Sequence, residues 1–384
     1  MMPREFTDVP AMLTALTPSY PVYCLRPHVI AAAARRFLDL FPGRVLYAVK
    51  CNPHPLVLRA LYDAGIRHFD TASLPEIALV RETLPDAACY FMHPVKGRAV
   101  IGTSSRVYNI DNYVVDHPKE LEKILNETDG GEGVTIFVRI ATPPVEGTFY
   151  HLAAKFGADV DQAAAMLKEA KSRGCQVGLA FHVGSQCLSP EAYGNAIDLA
   201  GTVVEKAKVD IAALDVGGGF PAKYVGTNMP ALEDYMTAIE DSAKRIKLRR
   251  DCVLMCEPGR ALVAAGVSLI TQVQLRKDDK LYINDGIYGA LSETVQGGVK
   301  FPARMWRLKG EPSRAFADFA LSGPTCDSLD ILPYKTPLPA DIEEGDWIEI
   351  DCLGAYSNAN ATRFNGFHTE TWITVHDHPI GHVA

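Results

Sequence analysis

The sequence predicts an α/β protein made of a (β/α)8 TIM-type barrel and a C-terminal, mostly β domain. Between Arg44 and Glu257, eight short apolar runs alternate with stretches of helical spacing. Eight such units in roughly 210 residues match the size of a (β/α)8 barrel. After Arg260 the pattern changes to strand-like runs separated by Pro and Gly, which is typical of a β domain. An open, doubly wound sheet is the alternative arrangement for the first part.

Each barrel strand is predicted from a short run rich in β-branched or aromatic residues. The runs are VLYAV from 45, RHFD from 67, CYFM from 89, YVV from 113, TIFVRI from 135, VGLAFHV from 177, IAALDV from 211 and VLMCE from 253. Helices are predicted where the segments between them close on Gly or a basic residue, as in DQAAAMLKEAKSRG and LEDYMTAIEDSAKRIK. We therefore divide the chain into a segment at 1–25 that packs on the β domain, a barrel at 26–260 and a β domain at 261–384.

Composition and charge favour a small-molecule ligand. The 384 residues carry a formal net charge of -8 and no basic stripe, which argues against a nucleic-acid partner. The N-terminus has neither the pattern of a signal peptide nor an apolar span that could cross a bilayer, so a cytoplasmic protein is expected. Nine scattered cysteines, without a CxxC pair or a Cys/His cluster at metal spacing, indicate free thiols in a reducing compartment and no metal site.

Polar residues follow or end several predicted strands, and in a barrel the carboxyl ends of the strands meet on one face. They are Lys50, Asp70, Arg139 on strand five, His182 on strand six, Gly217, Gly218, Gly219, Glu257 and Arg260. Taken singly, each has a structural explanation. Asp70 could cap a helix, Ser73 and Glu76 have the spacing of a capping box, and His182 could be a hydrogen-bonded core residue. Taken together, they predict a functional site.

The stretch LDVGGGFP at 214–221 is the candidate phosphate-binding loop. Its three glycines let backbone N–H groups approach an anion closely at the start of a helix. The dinucleotide motif GxGxxG is absent, so a single phosphate suits the loop better. Arg260 of EPGR adds a guanidinium for bidentate contact. A phosphate loop, a lysine and a buried acid indicate pyridoxal 5'-phosphate, with Lys50 as the Schiff-base lysine and Glu257 holding the pyridine nitrogen protonated.

A longer series of motifs points the same way. In order between residues 21 and 370, the chain contains YAVKCNP, FDTAS, RIAT with KFGA, FHVGSQ, DVGGGFP, EPGR, GPTCDSLD and GAYSNANATRFNGF. This series resembles the fold-type III pyridoxal-phosphate decarboxylases, the ornithine decarboxylase-like family. The resemblance implies an alanine racemase-like fold and a homodimer with active sites at the interface. It also implies α-decarboxylation of an L-amino acid, by default ornithine or lysine, to give a diamine of polyamine biosynthesis.

The resemblance implies roles for the barrel residues. Lys50 matches the Schiff-base lysine, His182 the imidazole that stacks on the cofactor ring, and Glu257 the partner of the pyridine nitrogen. The matches to the phosphate ligands are Ser185, Gly219, Gly259, Arg260 and Tyr356. The other cofactor-binding candidates are Asp70, Arg139, Gly217 and Gly218.

Further roles fall in the β domain. Cys326 and Asp327 of GPTCDSLD resemble residues that reach into the active site of the second subunit. There the cysteine returns a proton to the α-carbon after carbon dioxide leaves, and the aspartate meets the tail of the substrate. Phe364 resembles the aromatic wall of the substrate pocket, and Tyr288 is a further candidate for substrate binding.

The tail pocket departs from the family pattern. Bacterial relatives carry an acidic residue after a stretch like NDGIYGALSET, whereas this chain continues with VQGG from 295, which places Gln296 there. Arg363 stands directly before Phe364. An amino acid with an anionic tail, such as phosphonoalanine, is therefore an alternative to ornithine or lysine. Arg363 is equally a candidate for a solvated or dimer-contact charge, because adjacent strand residues point to opposite sides.

Three other functions compete with the leading one. An amino-acid racemase needs a second base, typically tyrosine, where GPTCDS has a cysteine. A diaminopimelate decarboxylase usually carries a glutamate after that cysteine. A non-enzymatic regulator related to the decarboxylases should have lost the cofactor residues, and this chain retains them all.

Overall fold

The computed structural model describes residues 4–144 and 155–380, which form two compact units. The barrel unit consists of the described residues of Ala34–Pro221 and Asn228–Ala261. The β unit consists of the described residues of Met1–Ala33, Ala222–Thr227 and Leu262–Ala384. The short stretch Ala222–Thr227 thus belongs to the β unit although it interrupts the barrel part of the sequence.

The strands are numbered along the chain. They are β1 (Glu5–Phe6), β2 (Val22–Leu25), β3 (Arg44–Ala48), β4 (His68–Thr71), β5 (Ala88–Phe91), β6 (Asn112–Val115), β7 (Thr135–Arg139), β8 (Gln176–Ala180), β9 (Ala213–Asp215), β10 (Val253–Cys256), β11 (Val267–Lys277), β12 (Lys280–Ile283), β13 (Ala303–Trp306), β14 (Phe316–Ser322), β15 (Ile331–Pro339), β16 (Trp347–Ile350) and β17 (Trp372–Val375). All eight predicted barrel runs overlap strands β3 to β10.

The helices are numbered in the same way. They are α1 (Val9–Leu16), α2 (Pro27–Leu40), α3 (Pro55–Asp63), α4 (Leu74–Thr83), α5 (Arg98–Tyr108), α6 (Pro118–Glu127), α7 (Val160–Ser172), α8 (Glu191–Ala207), α9 (Leu232–Arg245), α10 (Arg260–Val263), α11 (Glu293–Gln296) and α12 (Ser357–Asn360). None of these described helices combines the length and the apolar composition that crossing a bilayer requires.

Strands β3 to β10 close into a parallel barrel. The strands follow one another in chain order, and β10 pairs with β3 as well as with β9, so the sheet has no free edge. The predicted (β/α)8 barrel is confirmed, and the open doubly wound sheet is wrong. Leu46, Val114, Phe137 and Met255 fill part of the interior. Closure brings the carboxyl ends of all eight strands to one face.

The β unit is built on a mixed sheet. Its main path runs β1-β17-β2-β11-β12-β14-β15, and β16 joins β11 to β13. Strand β2 pairs parallel with β17 and antiparallel with β11, so the N-terminal segment lies inside this sheet and completes it, as predicted. Val9, Met12 and Leu13 of α1 pack with Ile270 and Trp347 on one face of the sheet.

A buried ionic network joins four segments of this sheet at Glu349, on β16. Its carboxylate accepts hydrogen bonds from Arg26 Nη2 at 2.8 Å, Ser268 Oγ at 2.8 Å, Arg304 Nε at 2.7 Å and Trp306 Nε1 at 2.8 Å. Burial alone would raise the pKa of Glu349, but the attraction of Arg26 and Arg304 outweighs it and lowers the pKa. The charge is therefore retained inside the protein and fixes β2 against β11, β13 and β16.

We expect Arg26→Met to lower the free energy of unfolding of the β unit by about 3–5 kcal/mol, because it removes a buried counter-charge of Glu349. All three tryptophans of the chain lie in this unit, so urea unfolding followed by tryptophan fluorescence reports it selectively. Lys335→Met, which breaks an exposed ion pair with Asp279, is the matched control and should keep the wild-type midpoint. An unchanged midpoint for Arg26→Met would contradict this account.

Candidate active site

Lys50 and Asp70 form an ion pair at the carboxyl ends of β3 and β4. Lys50 lies in a short 3-10 turn, Val49–Cys51, that follows β3. Its Nζ donates to Asp70 Oδ2 at 2.9 Å. Asp70 is buried, whereas the Lys50 side chain remains 41% exposed. Asp70 does not cap a helix, because Ser73 caps α4 instead. The buried carboxylate is thus available to orient an amine that stays accessible.

His182 follows β8 rather than lying on it, since β8 ends at Ala180 and a turn with Gly184 at φ +110° comes next. The prediction that placed His182 on the strand is therefore wrong by two residues. Its Nδ1 accepts the N–H of Gly184 at 3.0 Å. Burial, reinforced by Arg139 and Lys50, lowers the pKa of His182 well below its ordinary value. The imidazole is neutral at physiological pH and suits stacking on a flat ring.

Two acids lie at the ends of neighbouring strands, the buried Asp215 on β9 and the half-buried Glu257 directly after β10. Asp215 Oδ1 accepts the N–H of Gly217 at 2.8 Å. Burial, with Asp70 also opposing ionisation, raises the pKa of Asp215 to about 7. Burial, with Asp215 and Asp70 opposing ionisation, raises the pKa of Glu257 well above its ordinary value. Arg139 at the end of β7 is a half-buried cation near them, and desolvation lowers its pKa. A positively charged group of a ligand beside Glu257 would favour the ionised form of its carboxyl over the protonated form.

Asp215 is a site residue that the sequence prediction left out. The signal was present, because Asp215 lies two residues before the three glycines, near the end of a predicted strand. Its carboxylate binds the loop's first N–H group, so it shapes the glycine loop as well as the charge balance around Glu257.

The glycine loop requires residues without a side chain at its three glycine positions. Gly217 and Gly219 have φ of +69° and +103°, which favours glycine. A Cβ atom on Gly218 would lie 2.5 Å from the carbonyl oxygen of Glu257 and 3.2 Å from His182 Nε2. The loop thus packs its backbone against two other predicted site residues.

The expected helix start after this loop is absent. The next described helix, α9, begins only at Leu232, because Pro221 and the left-handed glycines interrupt the path from β9. Any anion bound here therefore depends on N–H groups of the loop and on side chains, not on a helix dipole.

Ser185, Gly259 and Arg260 gather beside this loop. Arg260 begins α10 and is buried, and its Nη2 lies 3.4 Å from Ser185 Oγ. A Cβ atom on Gly259 would lie 2.9 Å from Cys51 Cβ, so glycine lets the EPGR turn approach the turn that carries Lys50. Every barrel residue predicted for the site therefore lies at the carboxyl ends of the strands.

The remaining candidates belong to the β unit, where Tyr288 and Asp327 are joined. The Tyr288 hydroxyl donates to Asp327 Oδ2 at 2.5 Å, and its ring lies 4.9 Å from that of Phe364 between centroids. The hydrogen bond from Tyr288 lowers the pKa of Asp327, which therefore stays ionised. Cys326 is exposed and, with Asp327, lines a cavity of about 590 Å³. Tyr356, the predicted phosphate ligand of this unit, has φ +59°.

The side chains of Arg363 and Gln296 are both exposed to solvent. Arg363 Nη2 lies 2.6 Å from Glu370 Oε1, and the two side chains are 76% and 69% exposed. Gln296 is exposed at the end of α11. Arg304 is bound to Glu349 in the ionic network. These observations favour the solvated or interface interpretation of Arg363.

The barrel residues fit pyridoxal phosphate chemically. Lys50 offers an accessible amine, Arg260 with Ser185 offers donors for a phosphate, and Glu257 offers an acid for a ring nitrogen. Glycine at position 218 lets the loop pack against the Glu257 carbonyl and the His182 ring, where a Cβ atom would not fit.

Comparison with known proteins decides the family. Residues 28–264 match the family described as "Pyridoxal-dependent decarboxylase, pyridoxal binding domain", which is more than half of the chain. The chain belongs to this family. Pyridoxal phosphate is therefore its cofactor, and it is a decarboxylase of the ornithine, lysine and arginine type.

Two individual relatives are similar to this decarboxylase over most of its length. The lysine/ornithine decarboxylase of Selenomonas ruminantium is 33% identical over 347 residues, covering 87% of this chain and 84% of the relative. Antizyme inhibitor 2 of Xenopus laevis is 32% identical over 364 residues, covering 86% and 76%.

Two solved structures are also similar to this decarboxylase. The arginine decarboxylase of Paramecium bursaria Chlorella virus bound to agmatine has a TM-score of 0.84 at 27% identity, covering 94% of this chain and 98% of that one. The lysine/ornithine decarboxylase of Vibrio vulnificus complexed with putrescine has a TM-score of 0.82 at 30% identity, covering 96% and 99%.

We expect Gly218→Ala to abolish cofactor binding while the barrel stays folded, because the added Cβ would meet the Glu257 carbonyl and the His182 ring. The measurement is the visible absorbance of the purified decarboxylase after dialysis against pyridoxal phosphate, with circular dichroism to verify folding. Gly97→Ala is the control, since its Cβ would make only an ordinary contact at 3.7 Å. Wild-type absorbance in Gly218→Ala would show that the loop does not shape the cofactor site.

Proposed function

We propose that this decarboxylase removes the α-carboxylate of a basic L-amino acid, ornithine or lysine, and works as a homodimer. Asp327 carries the proposal for the substrate. Asp327 is an ionised acid in the β unit. The two arginines considered for an anionic tail are paired elsewhere, Arg304 with Glu349 and Arg363 with Glu370. An ionised acid attracts the ammonium at the end of an ornithine or lysine side chain.

The bound cofactor supplies the electron sink for the pair of electrons left when carbon dioxide departs. In our proposal Lys50 holds the cofactor covalently, and Asp70 orients its amine. Glu257 faces the ring nitrogen, neutral His182 packs on the ring, and Arg260 with Ser185 and the glycine loop binds the phosphate. Each of these roles agrees with the burial and charge described above for the same side chains.

Cys326 and Asp327 are proposed to complete the active site of the second subunit. The cysteine returns a proton to the α-carbon, and Asp327 with Tyr288 and Phe364 binds the tail of the substrate. The ion pair between Arg363 and Glu370 argues against a pocket for an anionic tail. An aspartate after Cys326, rather than glutamate, argues against a diaminopimelate decarboxylase.

A substrate panel tests this proposal. We expect L-ornithine or L-lysine to be decarboxylated best in a comparison of kcat/KM with L-arginine, diaminopimelate and L-amino acids with anionic tails. Asp327→Asn should lower kcat/KM for the diamino acids about ten- to a hundredfold, because one charge-assisted hydrogen bond is lost. Arg363→Ala and the exposed control Asp318→Asn should leave it unchanged.

Two outcomes would overturn the proposed substrate. One is turnover of an anionic substrate that Arg363→Ala abolishes, because this would place the arginine in the pocket. The other is turnover of ornithine and lysine that is insensitive to Asp327→Asn, because this would remove the acid from substrate binding.

Mixing two variants that have each lost diamine formation tests the shared sites. Lys50→Ala should lose the covalently bound cofactor, and Cys326→Ala should lose the proton donor. If each site combines residues of two subunits, equal amounts of the two proteins should recover up to about a quarter of wild-type activity after subunit exchange. Native mass spectrometry of tagged chains verifies the exchange, and no recovery after complete exchange would count against shared sites.

A further inference from the structure

Asn365 contacts the one exposed thiol of the protein. All nine cysteines lie in the described residues; seven are buried, Cys252 is half-buried and Cys326 is exposed. The backbone N–H of Cys326 donates to Asn365 Oδ1 at 3.2 Å, and its thiol Sγ lies 3.3 Å from the same oxygen. Both groups that face this oxygen are donors, so the amide must present its oxygen and not its NH2 group to them.

The loop that carries Asn365 is fixed by several bonds. Asn365 has φ +53° and ψ +12°, a left-handed conformation that asparagine tolerates better than most residues. The N–H and hydroxyl of Thr362 donate to the carbonyl of Tyr288 at 2.8 and 2.9 Å, and Phe364 N–H donates to Thr362 Oγ1 at 3.2 Å. Tyr288 also holds Asp327. One loop thus fixes the amide close to the proposed proton donor and the proposed acid.

We propose that Asn365 is a positioning residue that aims the Cys326 thiol at the α-carbon of the substrate. This inference rests on the proposed role of Cys326 as the proton donor. In that step the S–H bond breaks, a C–H bond forms with the electron pair left by carbon dioxide, and water later returns a proton to sulfur. The single acceptor oxygen restricts the thiol to one rotamer out of the three staggered ones.

Loss of this restriction has a distinct chemical consequence. A thiol that is not aimed at the α-carbon delivers its proton there more slowly, so protonation on the cofactor competes. Water then releases an aldehyde in place of the diamine, and the amino nitrogen remains on the cofactor as an amine. The fraction of turnovers that ends in aldehyde therefore measures the position of the thiol, which a general loss of stability would not change.

Two substitutions separate the amide oxygen from the backbone conformation. Asn365→Gly removes the oxygen and keeps the left-handed backbone, whereas Asn365→Asp keeps an oxygen at the same place. The matched control is Asn360→Ala, at an exposed asparagine at the end of α12. With the fastest of L-ornithine, L-lysine and L-arginine as substrate, Asn365→Gly should raise the aldehyde fraction at least tenfold. Asn365→Asp and Asn360→Ala should keep the wild-type fraction, even where kcat falls.

A second readout uses the protein stripped of cofactor. Alkylation of Cys326 by iodoacetamide, followed by mass spectrometry of its peptide, should be several-fold faster in Asn365→Gly because the thiol has lost its covering partner. Asn360→Ala should react at the wild-type rate, and Asn365→Asp should react no faster than wild type, because a carboxylate beside the thiol disfavours the reactive thiolate. Unchanged alkylation together with an unchanged aldehyde fraction in Asn365→Gly would overturn the inference.

Cys326→Ala distinguishes this inference from the proposed function. If Cys326→Ala raises the aldehyde fraction and Asn365→Gly does not, Asn365 has no positioning role and the proposed function stands. If Cys326→Ala itself leaves the fraction unchanged, Cys326 is not the proton donor, and both the inference and that part of the proposed function fail.

Discussion

The burial of ionisable groups at the carboxyl ends of the barrel strands is the constraint on which the site depends. Burial raises the pKa of both Asp215 and Glu257, Asp215 further opposes the ionisation of Glu257, and Arg139 is desolvated near them. The protein tolerates this arrangement because loop N–H groups and the neighbouring cation offset part of the desolvation cost. A cofactor with a cationic ring nitrogen and an anionic phosphate supplies the missing partners, so the site is prepared for a ligand of that charge pattern.

The barrel could be predicted from sequence because its determinants are local. A strand needs a short apolar or β-branched run, a helix needs its spacing and caps, and the alternation of the two leaves few possible topologies. The errors came where a turn decides the geometry. His182 lies beyond the strand on which it was predicted. The glycine loop runs on without a helix because left-handed glycines and Pro221 redirect it.

The site was less predictable than the fold because its decisive contacts join distant parts of the chain. Residue types at strand ends were enough to indicate a lysine, a phosphate loop and an acid. The role of Cys326 came only from family resemblance, because an isolated cysteine in a loop carries no chemical signature. Asn365 was missed for the same reason, since its contact spans 39 residues and depends on a left-handed turn. The pairing of Arg363 with Glu370 likewise became visible only in the folded chain.

In the proposed function, where Asp327 binds the tail of the substrate, its surroundings favour one cationic tail over another. Its Oδ2 already accepts the Tyr288 hydroxyl, and its Oδ1 accepts the N–H of Leu329 at 2.9 Å. A guanidinium binds a carboxylate best through two parallel hydrogen bonds, which requires both oxygens to be open in one plane. An ammonium is a compact charge with three rotatable donors, and it can use whichever lone pair remains. A single, partly occupied carboxylate therefore suits the ammonium of ornithine or lysine better than the guanidinium of arginine.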